Sequence, residues 1–128
     1  MVHAGWRGTC DRIAQQALRR MAETFGTRPQ HCLAAVGPSI GPCCFEVGQD
    51  VAERFDTAFP GWGLVDRGGA APRVDLWRCN RRQLEEAGVP DHRIAVAGLC
   101  TACDTGTFYS HRREQGRTGA MAAIMELI

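Results

Sequence analysis

Two short apolar runs, residues 32–36 (CLAAV) and 93–97 (RIAVA), constrain this chain more than any other feature. Neither shows strict polar–apolar alternation, so each reads as a strand covered on both faces. Covered strands need helices, and the sequence supplies the periodicity for them. From Thr9 onward, Ile13, Ala17, Met21 and Phe25 recur every four residues, with Ala14, Leu18 and Ala22 beside them and Gly26 placed to end the helix. Val47, Val51, Phe55 and Phe59 mark a second helix over 46–59, stopped by Pro60 and Gly61. Asp75 is suited to cap a third through Ala87, with Leu76, Leu84 and Ala87 inward and Gly88 and Pro90 beyond. This alternation predicts an α/β chain (α and β mixed), a layered mixed sheet with flanking helices. Short strands are also expected at 1–4 and 107–111, and the apolar last segment, 118–128, reads as a strand in preference to a helix, which periodicity alone leaves open. The Gly- and Pro-rich stretch 60–73 is expected to be an exposed, mobile excursion.

At 128 residues the chain has the length of one domain with a real core. Its net charge of +1 gives no electrostatic case for nucleic acid or an anionic membrane. All 15 basic residues are Arg, a side chain suited to bidentate contact with carboxylate or phosphate. No apolar run has the length of a membrane span and no signal-peptide pattern opens the chain, so a cytoplasmic location is expected. The seven cysteines are odd in number, which argues for reduced thiols rather than a disulfide framework.

Four stretches carry candidate chemistry. In VHAGWRG (2–8), His3 sits at a junction between an extended lead-in and a helix, where α/β proteins place ligands or metals. Residues 37–45 (GPSIGPCCF) form a stiff irregular loop directly after an apolar run, a structural turn or a functional loop. Cys100-x-x-Cys103 has the spacing of a zinc knuckle, and Cys43-Cys44 could complete four thiolates. Against that stand the lack of a second spaced pair and the rarity of adjacent cysteines sharing an ion. Finally, Arg112, Arg113 and Arg117 gather near His111, either as a site for phosphate or carboxylate or as a solvated turn.

HAGWRG, GPSIGPCCFEVG, DLWRCNRRQL, LCT and FYSHRR…GRTGAMA follow one another in a single order along almost the whole chain. That set resembles the laccase-domain or "polyphenol oxidase" family of the YfiH/YlmD/FAMIN type. The resemblance implies a cytosolic α/β protein with one catalytic zinc held by two His and one Cys. It also implies phosphorolysis of adenosine, inosine, guanosine and methylthioadenosine, together with adenosine deamination. Purine nucleoside and phosphate would be the partners. His3 would be one zinc ligand; the other two belong to upstream HGxxV-type and DCxP motifs that residues 1–128 do not contain. The resemblance thus implies that the chain would be the C-terminal portion of one laccase domain, truncated at its N-terminus and expected to be inactive alone. Arg7 and the 38–45 loop, with Ser39, Cys43 and Phe45, are the candidate pocket wall.

Two other readings compete. In one, the chain is a non-catalytic domain that completes a site or assembly with a partner chain, through self-association or pairing with a separate N-terminal half. The older reading, a copper oxidase of phenols, fares worse. A multi-histidine copper cluster cannot be built from His3, His31, His92 and His111, with no HxH pair among them. Losing half of a layered domain also predicts exposed apolar faces, and so a chain that associates or is marginally stable.

Overall fold

A computed structural model of the chain describes residues 1–126. Its regular elements, in order, are α1 (Trp6–Cys10), α2 (Ile13–Phe25), β1 (Ala34–Val36), α3 (Gln49–Ala58), β2 (Val65–Asp66), β3 (Arg73–Val74), α4 (Leu76–Glu86) and β4 (Ile94–Val96). Single 3-10 turns at Pro29–His31 and Asp91–Arg93 lead into β1 and β4. The α/β class is as expected, but the sheet is not one layer. β1 pairs in parallel with β4, and β2 pairs antiparallel with β3 in a separate two-stranded hairpin.

The helix predicted from Thr9 is two helices. Arg12 adopts the left-handed conformation (φ 58°, ψ 41°), which ends α1 and restarts the chain as α2. A non-glycine residue there is strained, and the Arg12 side chain shows what holds it. Its guanidinium lies 4.8 Å above the Phe59 ring, donates to the Ala58 carbonyl at 3.3 Å and pairs with Glu86 at 3.2 Å. Gly26 closes α2 in the left-handed region, as its position predicts. Asp75 caps α4 by accepting a hydrogen bond from the Arg78 N–H at 2.9 Å.

Several expectations need correction. Residues 1–4 and 107–111 form no strands, and 117–126 has no regular structure; the predicted last strand's final residues, 127–128, lie outside the described residues. The strand run at 32–36 narrows to β1, and the second helix starts at Gln49 rather than Glu46 because 45–47 bonds to the hairpin instead, Val47 N–H reaching the Pro72 carbonyl at 2.8 Å. Residues 60–73 are not simply an exposed excursion. Trp62 and Leu64 are buried, and the segment carries β2 and turns back into β3. Composition misled here because a few large apolar side chains outweigh many glycines once they find a core.

Two apolar clusters result. The larger joins Phe45, Phe55, Phe59, Trp62, Leu64, Val74, Leu76 and Cys79, with Cys10 from α1. The smaller joins Leu18, Val89 and Ile94, flanked by Cys32, Ala34, Leu84 and Ala87. It lies between the parallel pair and helices α2 and α4. The pair is covered on that face only: Ala34 and Ile94 point inward, while their neighbours Leu33, Ala35 and Ala95 are exposed. Coverage of both faces, expected from the apolar runs, is therefore absent among the described residues.

Candidate functional site

Parallel pairing decides where the chemistry sits. β1 and β4 run side by side in the same direction, so the loops that follow them leave from one end of the pair. The ladder continues past the strands. Ala97 N–H donates to Val36 O at 2.9 Å, Ser39 N–H to Leu99 O at 3.2 Å, and Thr101 N–H to Ser39 O at 3.1 Å. The two loops are thereby zipped together up to the Ser39–Cys100 bridge. Each then turns tightly, with Phe45 N–H on Gly41 O at 2.9 Å and Asp104 N–H on Cys100 O at 3.1 Å.

Four cysteines meet as a result. The Sγ atoms of Cys43, Cys44, Cys100 and Cys103 all lie within 4.8 Å of one another. Cys103 Sγ is 3.5 Å from Cys43 Sγ and 3.4 Å from Cys44 Sγ, and all seven cysteines are free. The objection that adjacent cysteines seldom share an ion gives way to this geometry: the four-thiol grouping could hold a metal ion. The sulfurs differ in how readily they ionise. Burial pushes the Cys100 thiol up, but the backbone N–H groups of Gly41, Cys103 and Ala102 outweigh it and hold this thiol at about 6. The Gly41 N–H is 3.2 Å from that sulfur. Burial raises Cys43, and its hydrogen bond with Cys44 raises Cys103. By contrast, Cys79 is pushed up to about 12 by burial and is an inert core residue.

The surroundings are built around this cluster. A Cβ at Gly41 would come within 2.6 Å of the Trp77 ring and 3.2 Å of the Cys100 Cβ, so only glycine passes between them. Trp77 Nε1 donates to Ser39 Oγ at 2.7 Å, tying the loop to α4. Arg113 Nη1 donates to the Thr101 carbonyl at 2.9 Å and Nη2 to the Phe108 carbonyl at 2.7 Å, bracing the Cys100–Cys103 turn. One guanidinium of the arginine group predicted for anion binding is thus committed to backbone.

A second feature lies beside the cluster. Trp6, Phe45, Glu46, Val47, Gly48, Val51 and Arg112 line a cleft of about 290 Å³, near the lower end of the ~300–1,000 Å³ typical of small-molecule sites. Arg112 lies 5.3 Å above the Phe45 ring and donates to the Glu46 carbonyl at 2.7 Å. The chain's larger groove, between α2 and α4, has no aromatic wall.

Of the sequence candidates, Phe45 borders the cleft and Cys43 joins the thiol cluster. Ser39 is engaged by Trp77 rather than by the cleft, and Arg7 is exposed, stacked 4.4 Å above Trp6. His3 is exposed and folds its Nε2 over Gly5, 3.2 Å from where a Cβ would lie. Among the described residues no Cys, His, Asp or Glu gathers with His3 into a three-ligand group, so this chain does not by itself provide a catalytic metal centre there.

Sequence reading passed over the residues that anchor the HAGWRG stretch. Fully buried Thr9 donates to the Ala4 carbonyl at 3.1 Å and accepts from Asn80 Nδ2 at 3.1 Å. Gln83, also fully buried, donates to the Thr9 carbonyl at 2.8 Å. A signal was present: Asn80 and Gln83 share the inner face of α4 with Leu76 and Cys79, where polar residues demand partners.

Comparison with known proteins follows the same lines. The purine nucleoside phosphorylase of Deinococcus radiodurans is 43% identical over 98% of this chain, and adenosine deaminase RL5, from an unknown prokaryotic organism, is 41% identical over 91%. The structure of YlmD from Geobacillus stearothermophilus superimposes with a TM-score of 0.84 at 36% identity, covering 92% of this chain and 45% of that one. The chain spans about half the length of the curated relatives it matches, 47% and 46% of the two named. The family model described as multi-copper polyphenol oxidoreductase laccase matches residues 1–128. With that match running from end to end, the chain belongs to the multi-copper polyphenol oxidoreductase laccase family.

Proposed function

We propose that this chain forms part of a purine nucleoside enzyme and contributes the aromatic and cationic wall of its substrate cleft. The observation that supports the reading is the meeting of Trp6, from the HAGWRG stretch, with Phe45 and Arg112 around one small cleft. An aromatic face suits a purine ring, and a guanidinium suits phosphate or a ribose oxygen. The names of the relatives, purine nucleoside phosphorylases and an adenosine deaminase, agree with that chemistry.

In this reading Trp6 stacks on the base, Val47 and Val51 exclude water from its edge, and Arg112 draws the anionic co-substrate. Phosphate attack at the ribose C1′ would give the free base and a ribose phosphate; water attack at the purine C6 would give deamination. The family's zinc, with ligands beyond His3 supplied by the rest of the protein, would provide Lewis-acid chemistry when bound. His3 is the one ligand this chain would offer to that zinc.

The test measures base release from inosine and phosphate, by the chain alone and with the N-terminal half of a relative such as YlmD added. The expected result is no turnover alone and turnover on complementation, with Trp6→Ala raising KM about tenfold or more, the loss of roughly one base–aromatic contact. Turnover by the isolated chain with stoichiometric zinc would overturn the need for further ligands. Complemented activity indifferent to both Trp6→Ala and Arg112→Ala would overturn the cleft.

A second reading, a domain that completes an assembly with a partner chain, is favoured by exposed apolar side chains. Phe25 is 78% and Leu33 81% exposed, and Leu99 is half exposed. Leu33 and Leu99 adjoin the two strands, whose outer face is uncovered and offers a partner both apolar surface and open strand edges.

A further inference from the structure

We infer that Cys43, Cys44, Cys100 and Cys103 form a closed tetrathiolate site for zinc that clasps the two loops following β1 and β4. With four protein ligands such a site is closed and leaves no position open for substrate.

The geometry carries this assignment. Zinc–thiolate bonds of about 2.3 Å place the sulfurs of a tetrahedron ~3.8 Å apart. Here two of the distances are 3.5 and 3.4 Å, and all four sulfurs fall within 4.8 Å. Cys100 and Cys103 have knuckle spacing on a tight turn, and the Cys100 sulfur already receives the Gly41 N–H, the kind of outer hydrogen bond that stabilises a ligating thiolate. Arg113 fixes the carbonyls of the same turn and sets a cation near a dianionic tetrathiolate centre. Cys43 and Cys103 are exposed, so an ion has a path in and the thiol protons a path out. Four sulfurs in a tetrahedral array match zinc better than copper(I), whose affinity for thiolates is high but whose usual thiolate sites have fewer ligands.

The consequence reaches the cleft. Phe45 follows directly on the Cys43-Cys44 pair and lines it, so an ion at the cluster would fix one wall of the cleft through the backbone.

The inference does not rest on the nucleoside reading, because its test needs no substrate. The reduced, metal-free full chain is titrated with zinc and, separately, with cobalt(II). The expected result is one zinc per chain and a cobalt spectrum with the intense d–d and sulfur-to-metal bands of tetrahedral tetrathiolate coordination. Cys103→Ser, at an exposed position the fold does not need, should weaken zinc more than about 100-fold, beyond the 10–100-fold expected of an outer-shell change such as Arg113→Ala. Cys32→Ser, outside the cluster, should bind as the parent does. The inference is overturned if the reduced parent takes up no zinc, if uptake survives Cys103→Ser and Cys43→Ser unchanged, or if the chain purifies with a Cys43–Cys103 disulfide and binds no ion after reduction. A marked preference for copper(I) with a non-tetrahedral cobalt spectrum would overturn it too.

Discussion

Gln83 shows how much a single side chain can organise. It is fully buried on α4, yet it donates to the Thr9 carbonyl across α1, while Asn80 one turn earlier reaches the Thr9 hydroxyl. Together they clamp the stretch that carries His3 and Trp6. Replacing Gln83 with Leu keeps the volume and leaves the Thr9 carbonyl with the Arg12 N–H alone, at 3.0 Å, while also removing the unpartnered Gln83 Oε1, so the loss should be that of one hydrogen bond, about 0.5–1.5 kcal/mol. Denaturant melts should show a lower midpoint with an unchanged slope, and a loss under 0.5 kcal/mol, the ordinary surface range, would mean that water replaces the amide. Gly41 works differently, by having no side chain. Its backbone passes the Trp77 ring where a Cβ would not fit, and that passage aims its N–H at the Cys100 sulfur.

At the scale of elements, helix ends were more legible than helix starts. The Gly26 and Gly88 stops and the Asp75 cap all stand where the sequence puts them. Asp75→Ala should therefore destabilise the chain by about 1 kcal/mol, and Asp75→Asn by much less, since the amide oxygen still accepts from the Arg78 N–H. Thermal melts of the two variants would separate capping from charge; equal losses would point to charge instead. The break at Arg12 was hidden, because nothing local favours a left-handed arginine. It arises from Phe59, Ala58 and Glu86, which lie more than forty residues away and together occupy its guanidinium. Residues 60–73 misled for the same reason in reverse: their turn composition is real, but Trp62 and Leu64 are pulled into the core by α3 and α4.

Over the whole molecule, surface area is the informative quantity. The chain exposes 8369 Å², against roughly 6,700 Å² for a complete monomer of this mass. Part of the excess is the largely exposed segment 117–126, and part is the apolar surface of Phe25 and Leu33. An excess of this size is comparable with the area that stable interfaces bury. The isolated chain should therefore associate with rising concentration, measurable by light scattering across a dilution series, and its melting temperature should rise with concentration. A sharp melt independent of concentration would contradict this. Among the described residues no helix is long and apolar enough to cross a membrane.

The sequence by itself determined the α/β class, the helix-ending signals, the order of the family's motifs and the identity of the four thiols. These are local or linear properties, written in periodicity, turn chemistry and residue type. It also pointed to Phe45, and to Arg7 rather than to Trp6, the neighbour that meets Phe45 at the cleft. Only the tertiary structure decided that the two apolar runs pair in parallel, and everything at the candidate sites follows from that pairing. It sends the 37–45 and 97–104 loops out of the same end, so that cysteines 60 residues apart come to lie 3.5 Å from each other. Spacing rules judged Cys43 and Cys44 poor co-ligands because they consider one segment at a time. Parallel strands bring two segments to one point, and no linear pattern records that.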